Sequence, residues 1–312
     1  MEMRDVLGCV GSATFLLLAS SWIPIAGPII GLLTPLPFLY YSTKLGFSEG
    51  AKLVGMAVLA FGLLSIMAGR PHNLLLGTEL GLLGLALSQL FRRGFSLGQT
   101  IVLGMLIMLF LGFVVLFFIA LSRQMGPLEM ILQYLQSHLK AALKAYEDMG
   151  MPPEKMAEFQ AYGNRFVYTI SKIYLSLMVV GVGFAVWLNV ILARPLFRIG
   201  DLPYPHFVNL GRWQAPDGLV WGLIGSGFLI LLTSGDIRWI AINAMIIIMA
   251  AYVFHGMSIV AFFLNKYHVS TWIRAGIYFL IFIQQVLLVV LALAGVFDQW
   301  IDFRKIRPKS AI

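Results

Sequence analysis

Residues 74–91 read LLLGTELGLLGLALSQLF, an apolar run that contains a single carboxylic acid, Glu79. The chain holds about eight or nine apolar runs of this kind, separated by short polar or Pro- and Gly-rich segments. About 20 apolar residues are enough for a helix to cross the hydrocarbon core of a bilayer. The runs are continuous and do not alternate with polar residues, which favours helices over a membrane barrel. The sequence therefore predicts an all-α, polytopic membrane helix bundle with about eight or nine spans.

The composition supports this class and excludes several others. Of the 312 residues, 60% are hydrophobic and only 12% are charged, and the mean hydropathy is +0.88. Soluble globular chains are roughly one quarter charged. The net charge of +8 comes from basic residues at the ends of the apolar runs, where they set membrane topology. We therefore expect the lipid bilayer as a partner and no nucleic acid.

One stretch, residues 123–165, has the pattern of an amphipathic extramembrane helical hairpin. Its first helix carries apolar residues at helical spacing: Leu128, Ile131, Leu132, Leu135, Leu139, Ala142, Leu143 and Tyr146. Gly150 ends this helix, and Pro152-Pro153 opens a second, shorter one. The hairpin either rests on the bilayer surface or the protein body, or forms a lid over a substrate cavity.

The sequence divides into two membrane portions. Residues 1–193 are predicted to form a six-span portion that includes the hairpin, and residues 194–312 a three-span portion with a basic tail. An N-terminus on the inside places six basic residues on the cytoplasmic side and turns the hairpin outward: Lys44, Arg92, Arg93, Arg194, Arg198 and Arg212. Nine spans would put the basic C-terminal tail on the outer side of the membrane, against the positive-inside rule. The sequence therefore does not decide on which side of the membrane the tail lies.

Glu79 is the first candidate site residue, because a carboxyl group at membrane depth is costly unless it meets a partner, a cavity or water. It could serve a proton- or cation-coupled site or contact a polar ligand. Alternatively, it could be a structural carboxyl that is protonated or paired with Arg70 or His72. Small residues in the same run predict a groove for close helix contact on another face of the helix: Gly77, Gly81, Gly84 and Ser88.

Asn243 and His255 are further candidates within apolar runs. Each could contact a substrate, or serve only as an interhelical hydrogen bond or a core histidine. Asp298 and Asp302 stand four residues apart with Arg304 beyond, which an interfacial ion cluster explains. The sequence has no nucleophile elbow, zinc-protease or phosphate-loop motif, and Cys9 is its only cysteine. We therefore expect no enzyme activity, no catalytic or metal-binding residues and no cofactor.

The C-terminal portion resembles the YybS-like family of uncharacterised bacterial membrane proteins. The resembling motifs are Trp213-x-x-Pro216, Asn243, Tyr252, His255-Gly256, Gly295-x-x-Asp298 and Asp302-Phe-Arg304. The first six runs are similar to the substrate-binding S components of energy-coupling-factor transporters, through Thr34-Pro-Leu-Pro37, Gly46 and the short early helices. The second resemblance implies a vitamin-like solute and an ATPase-driven transporter module as partners.

Together these features predict a multi-pass protein of the bacterial inner membrane. The expected function is a solute-binding or transport component without its own ATPase, for an unknown small-molecule solute. The alternative is a non-transport scaffold or assembly factor that recruits partners through the hairpin and the basic tail. The predicted substrate-binding residues are Glu79, Arg70, His72, His255 and Asn243.

Overall fold

The computed structural model describes residues 2–23, 26–67, 73–205, 207 and 210–306. Its regular elements are helical, and the described residues contain no β-strand. The helices are α1 (Met3–Trp22), α2 (Gly27–Gly31), α3 (Pro35–Leu45), α4 (Phe47–Met67), α5 (Asn73–Arg92), α6 (Leu97–Arg123), α7 (Pro127–Asp148), α8 (Pro153–Ile199), α9 (Leu219–Leu232), α10 (Gly235–Lys266), α11 (Thr271–Ile283) and α12 (Gln285–Ile301). The predicted all-α membrane helix bundle is confirmed.

Six of the described helices are long and apolar enough to cross a membrane, namely α1, α4, α5, α6, α8 and α10. A seventh span results if α11 and α12, which are bent by 101° at their junction, count as one. Two predicted spans fall short of this length. The predicted span at residues 29–41 is divided between α2, with 5 residues, and α3, with 11, and each of these helices has a proline in its first turn. The predicted span at residues 219–233 corresponds to α9, which has only 14 residues.

The chain forms two compact units. Unit 1 comprises Met1–Met130 with Gly181–His206, and unit 2 comprises Ile131–Val180 with Phe207–Ile312. Helix α8 belongs in part to each of them. The division of the chain into portions 1–193 and 194–312 stays a prediction.

Unit 1 packs around the small residues of α5. Gly77, Gly81, Gly84 and Ser88 are all buried, as the predicted groove requires. Gly81 lies against the side chains of Val54 and Phe38, and Gly84 lies against the backbone of α3. A side chain at either glycine would separate α5 from its neighbours, so the predicted close helix contact is confirmed.

Helix α7 packs on the first part of α8 within unit 2. Leu139 lies against Gly163, and the rings of Tyr146 and Phe159 meet edge to face at 4.7 Å. None of the residues of α7 is fully buried, which fits its amphipathic pattern. The second helix of the hairpin differs from the prediction, because α8 continues without a break for 47 residues from Pro153 into the next apolar run. No proline interrupts α8 before Pro195, so nothing ends the helix near residue 165.

Candidate functional site

Four polar side chains form a buried cluster in unit 2. His255 and Ser258 lie on α10, Asp298 lies near the end of α12, and Arg304 lies in the turn that follows α12. The first three residues are completely buried, and Arg304 is 4% exposed. We call these four residues the buried polar cluster. It is the largest concentration of buried ionisable groups among the described residues of unit 2.

The Arg304 guanidinium occupies the centre of this cluster. Its Nη1 donates to the carbonyl oxygens of Gly211 and Trp213, at 2.8 and 3.0 Å, and to Ser258 Oγ at 2.8 Å. Its Nη2 lies 2.8 Å from Asp298 Oδ2 and 2.8 Å from His255 Nε2. Nε has no hydrogen-bond partner among the described residues. Arg304 therefore joins α10, α12 and the segment at 210–213, which begins with a 3-10 helix over Leu210–Arg212.

The positive charge of Arg304 is compensated by Asp298. Oδ2 of Asp298 forms the ion pair with Nη2, and Oδ1 accepts a hydrogen bond from the Phe303 backbone N–H at 2.9 Å. Both oxygens of the carboxylate are thus used. Hydrogen bonds to the remaining polar atoms of a buried ion pair offset its desolvation, and here they satisfy the whole carboxylate but not Nε of Arg304.

The same geometry assigns the tautomer of His255. Guanidinium nitrogens only donate hydrogen bonds, so Nε2 of His255 accepts from Arg304 and the ring proton lies on Nδ1. Nε2 is also 3.1 Å from Asp298 Oδ2, and these two acceptors share the Arg304 donor. The Trp213 ring approaches the imidazole edge to face with 6.2 Å between centroids.

Ser258 is placed as a bridge and not as a nucleophile. Its Oγ lies 2.6 Å from the Leu210 carbonyl oxygen and 2.7 Å from that of Trp213, and it accepts from Arg304. The hydroxyl proton therefore points to the backbone, whereas a serine nucleophile directs its proton to a base. The cluster fastens the 210–213 segment to two helices, and its geometry does not resemble a hydrolase site.

Two glycines allow α10 and α12 to approach closely beside the cluster. A Cβ at Gly256 would collide with the Leu291 carbonyl oxygen, and a Cβ at Gly295 would collide with that of Tyr252. Nearby, Tyr252 donates to Gln299 Oε1 at 3.2 Å. The fully buried His255 and Asp298 can meet only because these backbones are in contact.

The turn after α12 determines where Arg304 lies. Asp302 ends the helix in the left-handed region, with φ of 45°, and its Oδ1 accepts from the Ile306 N–H. The carboxylates of Asp298 and Asp302 therefore have different roles, one buried with Arg304 and the other organising the turn. The predicted ion cluster is present at Asp298, which pairs with Arg304, whereas its position at the membrane interface stays a prediction.

Asn243 forms hydrogen bonds between α10 and α8 in unit 2. Its Nδ2 donates to the carbonyl oxygens of Lys172 and Trp239, at 2.7 and 2.8 Å, and its Oδ1 accepts from the Ser176 N–H at 3.0 Å. Asn243 precedes His255 by 12 residues on one helix, about 18 Å along its axis. The structure therefore does not bring these two candidates together, and it gives Asn243 the interhelical hydrogen bonds that the sequence offered as the alternative.

Glu79 lies in unit 1, on α5, and is half-buried. Among the described residues the structure shows no hydrogen bond or ion pair of its carboxylate. Its neighbour Thr78 donates to the Leu74 carbonyl oxygen within the same helix. Arg70 and His72, the predicted partners of Glu79, lie outside the described residues.

Metal binding was not expected from the sequence. Across the described ranges, no group of three or more His, Cys, Asp or Glu side chains is arranged to hold a metal ion.

A family model described as "Predicted membrane protein (DUF2232)" matches residues 12–299. This chain belongs to that family. Neither a curated protein nor a solved structure matches the chain. The family match includes Glu79 and three members of the buried polar cluster, and it ends before Arg304. Its description agrees with the membrane-length helices of the structure.

Sequence reasoning named His255 but missed Ser258, Asp298 and Arg304 as its neighbours. Ser258 follows His255 by three residues, which places both on one helical face. The sequence of this DUF2232 chain held a further signal. The motifs by which its C-terminal portion resembles YybS-like proteins include Trp213, His255-Gly256, Gly295-x-x-Asp298 and Arg304. In the structure these separate motifs meet at the buried polar cluster.

Proposed function

We propose that this protein is a solute-binding or transport component of the bacterial inner membrane, that it is not an enzyme, and that it has no ATPase of its own. It spans the membrane several times and acts with a partner module that hydrolyses ATP. The solute is a small polar molecule that enters unit 1.

The observation that carries this proposal is the position of Glu79. Its carboxylate is half-buried in a helix of membrane length, and no described residue forms a hydrogen bond or an ion pair with it. An ionisable group inside a membrane helix requires a polar partner or water. A cationic or hydrogen-bonding group of a solute would satisfy it.

The helix breaks of unit 1 also support binding. Helices α2 and α3 are too short to span, and both contain proline in their first turn. Interrupted helices at membrane depth are tolerated where they line a cavity or pack against protein. The resemblance of the first six runs to S components of energy-coupling-factor transporters supports this function by analogy.

The test is a ligand screen on the purified protein. Thermal unfolding in detergent is measured against a panel of vitamins and polar metabolites, with the wild-type chain and with Glu79→Gln. We expect at least one compound to raise the midpoint of wild-type unfolding. We expect Glu79→Gln to bind that compound about 10- to 100-fold more weakly, because hydrogen bonds to charged groups contribute about 1.5–3 kcal/mol.

Glu49→Gln is the matched control. Glu49 lies at the start of α4 in the same unit and pairs with Lys52 at 2.6 Å, so the same chemical change should leave ligand binding unaltered. No response to any compound, or an equal response in Glu79→Gln and the wild type, would contradict the proposal.

A scaffold or assembly factor is the second candidate function, and the structure of α7 favours it. No residue of α7 is fully buried, and Tyr134 is 64% exposed. An exposed amphipathic helix can recruit a protein partner as readily as it can rest on lipid.

Crosslinking from a photoreactive residue at position 134 tests this function. If the protein is a scaffold, this residue should crosslink the same partner protein reproducibly. The crosslink should be lost when exposed apolar residues of α7 are replaced by polar ones. Labelling of lipid alone would contradict it.

A further inference from the structure

Two pairs of arginines lie at one end of unit 1. Arg92 and Arg93 are at the end of α5, and Arg194 and Arg198 are one turn apart near the end of α8. All four residues are exposed. We call this set the arginine surface.

Aromatic rings show that the two pairs share one end of the unit. Phe91 precedes Arg92, and Phe197 precedes Arg198; their ring centroids are 5.8 Å apart in an edge-to-face contact. Tyr204 contacts both rings, at 5.6 and 6.0 Å. Its hydroxyl donates to the Val190 carbonyl oxygen at 2.8 Å, and burial raises the pKa of Tyr204, so the phenol stays neutral.

Two carboxylates near this end already have other partners. Asp5 pairs with Lys44 at 2.6 Å, and this hydrogen bond raises the pKa of Lys44. Glu49 pairs with Lys52. Arg92 donates to the carbonyl oxygen of Thr43 at 2.9 Å, at the end of α3.

The arginine surface therefore keeps an excess of positive charge. Among the described residues, none of its four guanidinium groups forms an ion pair. Glu2 and Asp201 are two further exposed acids, and the exposed arginines Arg4, Arg92, Arg93, Arg194 and Arg198 outnumber them. Like charges four residues apart on a helix destabilise it, so Arg194 and Arg198 repel each other unless an anion lies between them.

The position of this surface indicates the source of the anion. Arginine side chains near the ends of membrane-length helices reach the headgroup level of a bilayer. The cytoplasmic leaflet is rich in anionic lipids, and basic pockets between helices on that side bind their headgroups. Guanidinium groups also match the geometry of phosphate oxygens.

We propose that the arginine surface of unit 1 binds the phosphate headgroup of an anionic phospholipid in the cytoplasmic leaflet. Arg194 and Arg198 hold the phosphate, and Arg92 and Arg93 add positive charge across the Phe91–Phe197 contact. The binding offsets the repulsion between the arginines and fixes this end of unit 1 at the inner surface of the membrane. This site is independent of Glu79 and of any transported solute.

The test compares phospholipids on the purified full-length chain. Native mass spectrometry counts phosphatidylglycerol and phosphatidylcholine that remain bound when both are supplied in equal amounts. The wild type should retain phosphatidylglycerol several-fold more than phosphatidylcholine. Replacement of both residues, Arg194→Gln with Arg198→Gln, should lower the affinity for phosphatidylglycerol by roughly ten- to thirtyfold, since each basic residue near a membrane surface strengthens binding about fivefold.

Lys140→Gln with Lys144→Gln is the matched control. These exposed lysines are also four residues apart on a helix, but they lie on α7 in unit 2. The control should keep the lipid preference of the wild type. An equal loss in both double variants would contradict the proposal, because it would show that any pair of positive charges attracts the lipid.

Two further measurements distinguish a lipid headgroup from a soluble anion and from a folding defect of the variants. Inorganic phosphate at matched concentration should not displace the lipid or raise the unfolding midpoint; if it does both, the surface is a site for a soluble anion and the lipid proposal is wrong. The wild-type preference needs no variant, so equal retention of the two lipids overturns the proposal even if the arginine variants do not fold.

Discussion

At the scale of single residues, the pairing of Asp298 with Arg304 is the strongest electrostatic constraint in the described part of unit 2. Both side chains are completely buried, and their closest approach is 2.8 Å. The pair by itself is weak evidence for stability, because desolvation opposes the attraction between the charges. Removal of one partner is different, because the other charge then stays buried without compensation.

We therefore predict that Asp298→Asn destabilises the protein by about 3–5 kcal/mol. The substitution keeps the shape of the side chain but leaves the Arg304 charge uncompensated. Asp236→Asn is the control, since Asp236 is 88% exposed in its pair with Lys172 and should contribute at most about 1 kcal/mol. Unfolding of the two variants in one detergent gives the comparison, and similar midpoints would show that the buried pair is not a structural anchor.

His255 illustrates how far the sequence could predict this site. An ionisable residue in an apolar run is visible in the sequence, so His255 is a candidate from the sequence alone. Its partners Asp298 and Arg304 lie 43 and 49 residues away, and the register between α10 and α12 decides whether they meet. That register depends on the glycine contacts and on the left-handed turn at Asp302, which hydropathy does not reveal.

At the scale of helices, the contact between α10 and α12 places the cluster. Gly256 lies against the Leu291 carbonyl oxygen and Gly295 against that of Tyr252, so neither position has room for a methyl group. Small residues allow membrane helices to approach in this way. The close contact brings His255 and Asp298 within hydrogen-bond distance of the same guanidinium.

Gly256→Ala should separate α10 from α12 and destabilise unit 2 by about 1–3 kcal/mol, the usual cost of overpacking a well-packed core. Gly276→Ala provides the control. Gly276 is an exposed residue of α11 with open space around it, and alanine there should be neutral or slightly stabilising because of its higher helix propensity. The unfolding midpoints of both variants test the contact, which would be refuted if Gly256→Ala were as stable as Gly276→Ala.

The helices show which features a sequence can predict. The long apolar runs correspond to α1, α4, α5, α6 and α10, because composition alone makes a membrane helix favourable. The continuity of α8 and the 101° bend between α11 and α12 were not predicted. No proline breaks α8 before Pro195, so its continuity agrees with the sequence, whereas the bend at Gln284 has neither proline nor glycine beside it.

At the scale of the whole molecule, the helices of membrane length and the family match agree on a multi-pass membrane protein. The arginine surface gives unit 1 a basic end, and the positive-inside rule predicts that this end lies in the cytoplasm. Helix α6 leaves this end and has 27 residues, about 40 Å of helix, which exceeds the thickness of the hydrocarbon core. The opposite end of α6 should therefore lie on the outer side of the membrane.

Cysteine labelling in intact cells tests this arrangement most directly. With Cys9 replaced by alanine, Ser48→Cys reports the basic end of unit 1 and Ser122→Cys reports the far end of α6; both serines are exposed. A membrane-impermeant maleimide should label Ser122→Cys in intact cells, and Ser48→Cys only after the membrane is permeabilised. Labelling of both positions from the same side, or recovery of the protein in the soluble fraction, would contradict a helix bundle that crosses the membrane with its arginine surface inside.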